Sequence, residues 1–281
     1  MRHNFDKETH GAEITHLFPE RVQDKTCISP HLHITLQLTF PVILAGLKRG
    51  ELAAATADAL AAAGAGVIIC TGHCQTELQP VIDHINRKYK KVKVVFVTAD
   101  TSSLTSFQEA GRAIKRMGIP INGVRTDVRA PTWVDVGFSD GKDYHCLDGY
   151  SQSSLANILF AKSLSNMYRN RPIAAFSANP GNIKNDIQTY VTMEQINEWL
   201  DRKKIAGEEI PMFLQQAPKS LAQGSATVLR GLLDPDLEYE PGAFLSDCQA
   251  HKLPHLDFPA GEKSATALWR RSEELLEAFL C

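Results

Sequence analysis

Tyr150, Ser151, Gln152, Ser153 and Ser154 lead into an apolar run over residues 155–160, and they set a phenol and a hydroxyl four positions apart. On a helix two such residues share one face, a turn apart. The chemistry open to that phenol is proton transfer, but its ordinary pKa of about 10 makes it a poor base at neutral pH. A cation one turn away would favour the phenolate and bring the group into working range. Ser154 carries no charge and cannot do this. Lys142 and His145 precede it closely in sequence and are the candidates to substitute. Tyr150 also reads as an ordinary residue at a helix start.

A second constellation lies earlier. Gly46, Lys48, Arg49 and Gly50 fall between an apolar stretch ending in Val42, Ile43 and Leu44 and an Ala-rich helical pattern. A strand-to-helix turn of this type lets the backbone approach a pyrophosphate, which then sits on the helix N-terminus. Two glycines four apart are weak evidence alone, and the surrounding pattern is what gives them weight. Lys48 and Arg49 read either as phosphate partners or as solvated loop charges, and Glu51 would repel a phosphate. A serine-hydrolase elbow is not indicated, because Gly149, Tyr150 and Ser151 lack the closing glycine.

The elements that must position these residues follow from periodicity. Residues 31–44 predict a buried strand, 52–63 a helix ended by Gly64 or Gly66, and 67–70 a second strand. Residues 77–89 predict a helix with Leu78, Val81, Ile82 and Ile85 on one side, and 93–97 a third strand. Residues 100–103 form a loop and N-cap before a helix through Lys115, and 269–280 form a short amphipathic helix. Strands and helices alternating at this spacing predict an α/β fold with a parallel sheet. Residues 1–30 are polar and His-rich and read as an irregular N-terminal arm on one domain spanning 1–281.

Bulk properties narrow the classes. Thirty basic against 32 acidic residues give a formal charge of −2, which argues against a nucleic-acid partner. No apolar stretch approaches the roughly 20 residues of a membrane span, and the first residues have no apolar signal core. The six cysteines are scattered, so free thiols in a cytoplasmic protein are expected, and His31 and His33 lack the further ligands a metal site needs.

The chain resembles the short-chain dehydrogenase/reductases, especially a retinol-dehydrogenase-like branch with fungal members. The resemblance is carried by residues 138–144, by Tyr150 to Ala161, by Asn179, Pro180, Gly181, Asn182 and Ile183, and by residues 224–233 and 242–245. It implies a Rossmann-like doubly wound parallel sheet, carbonyl–alcohol chemistry with NADP(H), and dimers or tetramers. Relatives of this branch often act in secondary metabolism. By the same resemblance Tyr150 is the proton donor, and Gly46, Lys48, Gly50 and Leu52 line the phosphate turn, with Leu52 or Ala53 in place of its last glycine. Ile183 would lie against the nicotinamide, and Tyr150, Pro180 and Gly181 would also bind the cofactor. His73 occupies the position that selects the cofactor. Thr71, Gly72 and His73 offer no acid there, which favours NADP over NAD. Asp100 matches an aspartate beside the adenine.

Three departures stand out. Ser154 replaces the family's lysine. Thr126, Asp127, Val128 and Arg129 replace an Asn-Asn-Ala-Gly segment, setting charge in a sheet centre. Only twenty residues separate Arg129 from Tyr150, whereas a strand with its crossover helix needs roughly 30. One central helix-strand unit is therefore missing, and with it the family's catalytic serine. Residues 29–41 have no family counterpart and either supply a replacement strand or are foreign to the fold. Two functions remain open: an NADP(H)-dependent oxidoreductase acting on a small apolar molecule, or an inactive or repurposed relative (a scaffold, lyase or isomerase). Residues 187–219, with Tyr190, Trp199, Met212 and Phe213, suit an apolar substrate pocket or a helix packed on the core.

Overall fold

The computed structural model describes residues 4–22, 26–27, 34–38, 42–45, 52–100, 103–118, 123–125, 142, 144–170, 173–183, 191–208, 217–251 and 259–280. In chain order the elements are α1 (Gly11–Leu17), β1 (Thr26–Cys27), β2 (Ile34–Leu38), β3 (Val42–Ala45), α2 (Leu52–Ala62), β4 (Val67–Gly72), α3 (Gln75–Lys88), β5 (Lys93–Thr98), α4 (Leu104–Arg116) and β6 (Gly123–Arg125). There follow α5 (Cys146–Met167), β7 (Ile173–Asn179), α6 (Met193–Ile205), α7 (Leu221–Leu233), β8 (Phe244–Ser246), β9 (Gln249–His251) and α8 (Pro259–Leu280).

Strands β5, β4, β3 and β6 pair in that order, all parallel, with β1 beside the first two residues of β4. Strand β4 shows why the sheet is covered twice. Its side chains alternate between faces; Ile68 and Cys70 join the core with α2, α3 and α7, while Ile69 joins Val97, Ala99, Ala110 and Ile114 under α4. Both faces are apolar because both are buried, which is the doubly wound arrangement the sequence implies.

The second group of strands resolves the two readings of residues 29–41. Strand β2 runs alongside β6 and pairs antiparallel with β7, Ile34 opposite Ser177 and Leu38 opposite Ile173. Beyond it β7 and β8 are parallel, and β9 closes the edge antiparallel. Without a strand in this position, β7 would leave an edge of unpaired backbone groups inside the fold. Three residues link Leu38 to Val42. That is far too short for a parallel crossover of a dozen or more, so β2 must run opposite to β3. The replacement strand fills the gap left by the missing unit, but in the reversed sense.

The N-terminal residues correct the expectation of an irregular arm. They form α1 and a short 3-10 turn over Pro19–Arg21, and they bury Phe5, Ile14, Phe18 and Val22 in the same core as α2 and α7. Phe5 and Phe18 meet edge to face at 6.5 Å, the Arg230 guanidinium lies 5.2 Å from the Phe5 ring centre, and Arg21 pairs with Glu238 at 2.6 Å. The C-terminal helix starts at Pro259, ten residues before the predicted start at residue 269, and packs on α5 through Ala265 and a stacked Phe160–Trp269 pair.

Candidate active site at the strand ends

Among the described residues, six of the predicted cofactor residues follow the C-terminal ends of strands. Leu52 opens α2 after β3, His73 follows β4, Asp100 follows β5, and Pro180, Gly181 and Ile183 follow β7. Gly46, Lys48 and Gly50 lie outside the described residues. Gly224 of α7 shows that the two halves of this row meet. A Cβ added there would sit 3.0 Å from Ile183 Cγ1, closer still to Ile183 Cδ1, and 3.2 Å from Leu52 Cδ1. The first turn of α2 and the loop after β7 thus approach across a single glycine, with Leu52 and Ile183 both buried.

The loop after β7 is held by its own backbone. Gly181 donates its N–H to Asn179 Oδ1 at 3.0 Å, and Ile183 donates to the Gly181 carbonyl at 3.0 Å. Lys219 donates its N–H to the Asn182 carbonyl at 2.7 Å and forms a bridge with Ile183. Gly181 has φ +87°, and the Lys219 side chain passes so close that a Cβ would lie 2.8 Å from its Cδ. Only glycine meets both demands. The Lys219 ammonium is paired with Asp247.

Tyr150 reaches the same edge through the length of α5. That helix has 22 residues, about 33 Å, and its last turn leads within a few residues into the start of β7. Its first turn therefore returns to the end of β7 where Pro180 lies. Ser165 fixes the alignment: its hydroxyl donates to the Ala175 carbonyl at 3.0 Å and accepts the Ala175 N–H at 3.1 Å. Tyr150 is half-buried, and Ser154, one turn on, is 4% exposed. Lys142 is exposed. His145 is the N-cap of α5 and accepts the Leu147 N–H on Nδ1 at 3.2 Å. A neutral imidazole in this role carries its proton on Nε2, which is buried without a hydrogen-bond partner.

The adenine side differs in detail from the sequence reading. His73 is 61% exposed, and its Nε2 stands 3.5 Å from Glu77 Oε1, so an acid does approach the position that sequence order alone leaves free of one. At this exposure the pair contributes little to stability. Asp100 donates its N–H to Ser106 Oγ at 2.9 Å and its carbonyl accepts the Ser103 N–H at 3.1 Å, which shapes the turn into α4; Ser103 itself caps that helix. Cys74, missed in the sequence, is the N-cap of α3. The Thr76 hydroxyl, 2.9 Å away, and the first backbone N–H groups of the helix hold its thiol below the usual range. A cysteine directly before a helical pattern was the available signal.

Trp199 packs into the core. It is buried on α6 and donates its indole N–H to Asp148 of α5 at 2.7 Å. Tyr190, Met212, Phe213 and residues 126–129 lie outside the described residues. No group of His, Cys, Asp and Glu that would hold a metal exists among the described residues.

Comparison with profiles of known protein families gives no match. The chain is 27% identical over 146 residues to the short-chain dehydrogenase/reductase prx1 of Penicillium roqueforti, covering 48% of this chain and 39% of that protein. It is 23% identical over 163 residues to the human dehydrogenase/reductase SDR family member 13, covering 57% of this chain and 34% of that one. The chain thus spans well under half the length of the curated relatives it matches. Among solved structures, a short-chain dehydrogenase from Pseudomonas syringae superposes with a TM-score of 0.53 at 16% identity, covering 88% of this chain and all of that one. A short-chain dehydrogenase from Burkholderia cenocepacia, solved in complex with NADP, gives 0.50 at 18% identity over 80% of this chain and 97% of that one. At these identities the structural likeness speaks for the fold.

Proposed function

From this chain's membership of the short-chain dehydrogenase/reductase family we infer that it is an NADP(H)-dependent oxidoreductase acting on a carbonyl or alcohol of a small apolar molecule in secondary metabolism. The supporting observation is the meeting of Leu52 and Ile183 across Gly224, on the edge to which α5 returns Tyr150. The first turn of α2 carries no acid, which favours an anion at its N-terminus, while Glu51 directly before it opposes one. The Burkholderia structure with NADP supports the choice of cofactor, while Glu77 beside His73 opposes a 2′-phosphate.

When bound, the cofactor supplies hydride to the carbonyl carbon. Tyr150 donates its phenolic proton to the carbonyl oxygen, and the product alcohol carries both. Pro180, Gly181 and Ile183 would hold the nicotinamide end of the cofactor, and Leu52 would lie at its phosphate turn. Consumption of NADPH against a panel of aldehydes and ketones tests the reading. Turnover by the wild type and its loss, by about a hundredfold or more, in Tyr150→Phe are expected; undiminished turnover in the variant refutes the role of Tyr150. The proposal includes a homodimer in the cytoplasm, with light scattering as the check on assembly. Among the described residues no helix is long and apolar enough to cross a membrane.

Buried Ser154 in the lysine position favours a second reading, a relative that keeps the fold and has lost carbonyl reduction. It predicts no NADPH consumption above background with any substrate of the panel.

A further inference from the structure

We propose that α6 is a buttress for the turn of α5 that carries Tyr150, and that Trp199 is the positioning residue through which it acts. This rests on the reading of Tyr150 as proton donor. Asp148 and Tyr150 stand two residues apart on α5, about 200° around the helix, so the carboxylate leaves the side opposite the phenol. Trp199, 3% exposed, reaches that opposite side and donates its indole N–H to Asp148 Oδ1 at 2.7 Å. Two cations of α6 stand further off: Lys203 Nζ at 3.8 Å from Oδ1 and Arg202 Nη2 at 3.9 Å from Oδ2. Lys203 is also drawn to Glu208 at 2.6 Å, and it lies 5.5 Å from the indole ring centre. Of the contacts to Asp148 in this group, the indole N–H is the shortest.

The start of α5 is also held from its own side, where the Tyr144 ring lies against Gly149. His145 caps it by a single bond to Leu147. A proton donor misplaced by about 1 Å loses on the order of a hundredfold in rate. A hydrogen bond to a charged acceptor shifts the balance between held and released states by about ten- to a hundredfold. A helix that grips the back of the turn therefore governs where the phenol stands without touching substrate.

Trp199→Phe keeps the ring and deletes the N–H, whereas Asp148→Asn keeps an acceptor oxygen and deletes the charge. Hydrogen exchange on the full chain reads the buttress without any substrate. Trp199→Phe is expected to speed exchange of the amides of residues 149–153 about tenfold or more, with α7 unchanged and Asp148→Asn, which keeps a weaker neutral acceptor, between wild type and Trp199→Phe. Faster exchange confined to α6, or equal acceleration in both variants, overturns the proposal. Turnover is read in parallel with NADPH and a carbonyl compound that the wild type reduces. In Trp199→Phe, kcat falls about tenfold while KM and NADPH affinity stay within about twofold; a raised KM at unchanged kcat overturns the positioning role. A wild type that shows no turnover defeats the reading of Tyr150 alone, and the exchange result still decides the buttress.

Discussion

Replacing Gly224 by alanine tests the junction on which the site is built. Two effects oppose each other. In a helix interior alanine is favoured over glycine by about 1 kcal/mol. Against this, the new methyl would lie 3.0 Å from Ile183 Cγ1, closer to Cδ1, and 3.2 Å from Leu52 Cδ1, and both neighbours are buried with little room to move. Overpacking of this kind costs about 1–3 kcal/mol. The net expectation is destabilisation by about 1 kcal/mol. Gly111 on α4 provides the control, since a Cβ there meets nothing within 4 Å. Gly111→Ala is expected to stabilise by up to about 1 kcal/mol, so urea midpoints at constant slope should separate the two variants by about 1–3 kcal/mol. Ile183→Val removes the methyl nearest the clash. It should cost about 0.5–1.5 kcal/mol in the wild type and less beside Gly224→Ala, a coupling of at least about 0.5 kcal/mol. NADPH affinity should fall in Gly224→Ala and recover in the double variant. Equal stabilisation by both glycine replacements, with unchanged NADPH affinity, refutes the reasoning.

Two further outcomes follow from burial. Ile14 is fully buried between α1 and the core, so Ile14→Ala should cost about 2–5 kcal/mol by urea denaturation, whereas an irregular arm would lose almost nothing. Burial pushes the Cys70 thiol up to about 12 from an ordinary value of 9.0. The folded chain keeps that proton while the unfolded chain releases it, so between pH 9 and 12 stability falls as pH rises, by up to about 1.4 kcal/mol per pH unit. Cys70→Ala should flatten this slope, and an unchanged slope would contradict it. In the native protein a disulfide reagent at neutral pH should label Cys74 before Cys70 or Cys248, since burial also raises Cys248.

Much of the doubly wound half was legible because local pattern and tertiary role agree there. Leu78, Val81, Ile82 and Ile85 fall on one helical face and are all buried, and residues 93–97 alternate as a strand between layers. Helix α1 was not legible: its seven residues include Gly11, Thr15 and His16, and its stability comes from contacts with α7 that no local period announces. Strand β2 could be suspected from the missing unit and from its own composition. Its direction depends on the short link to β3 and on pairing with distant β7, which a linear pattern does not encode. Trp199 had two equal readings because an indole suits a pocket or a core. The partner that decides between them, Asp148, lies 51 residues away. His73 and Glu77 are four apart at a helix start, so their approach was available from spacing and was overlooked.

The central claim is that this edge takes NADP(H). Calorimetric titration of the purified, monodisperse chain with NADPH, and separately with NADH, tests it most directly. Micromolar binding of NADPH, tighter than NADH by about tenfold or more, is the predicted result. A folded chain that binds neither nucleotide would contradict the account.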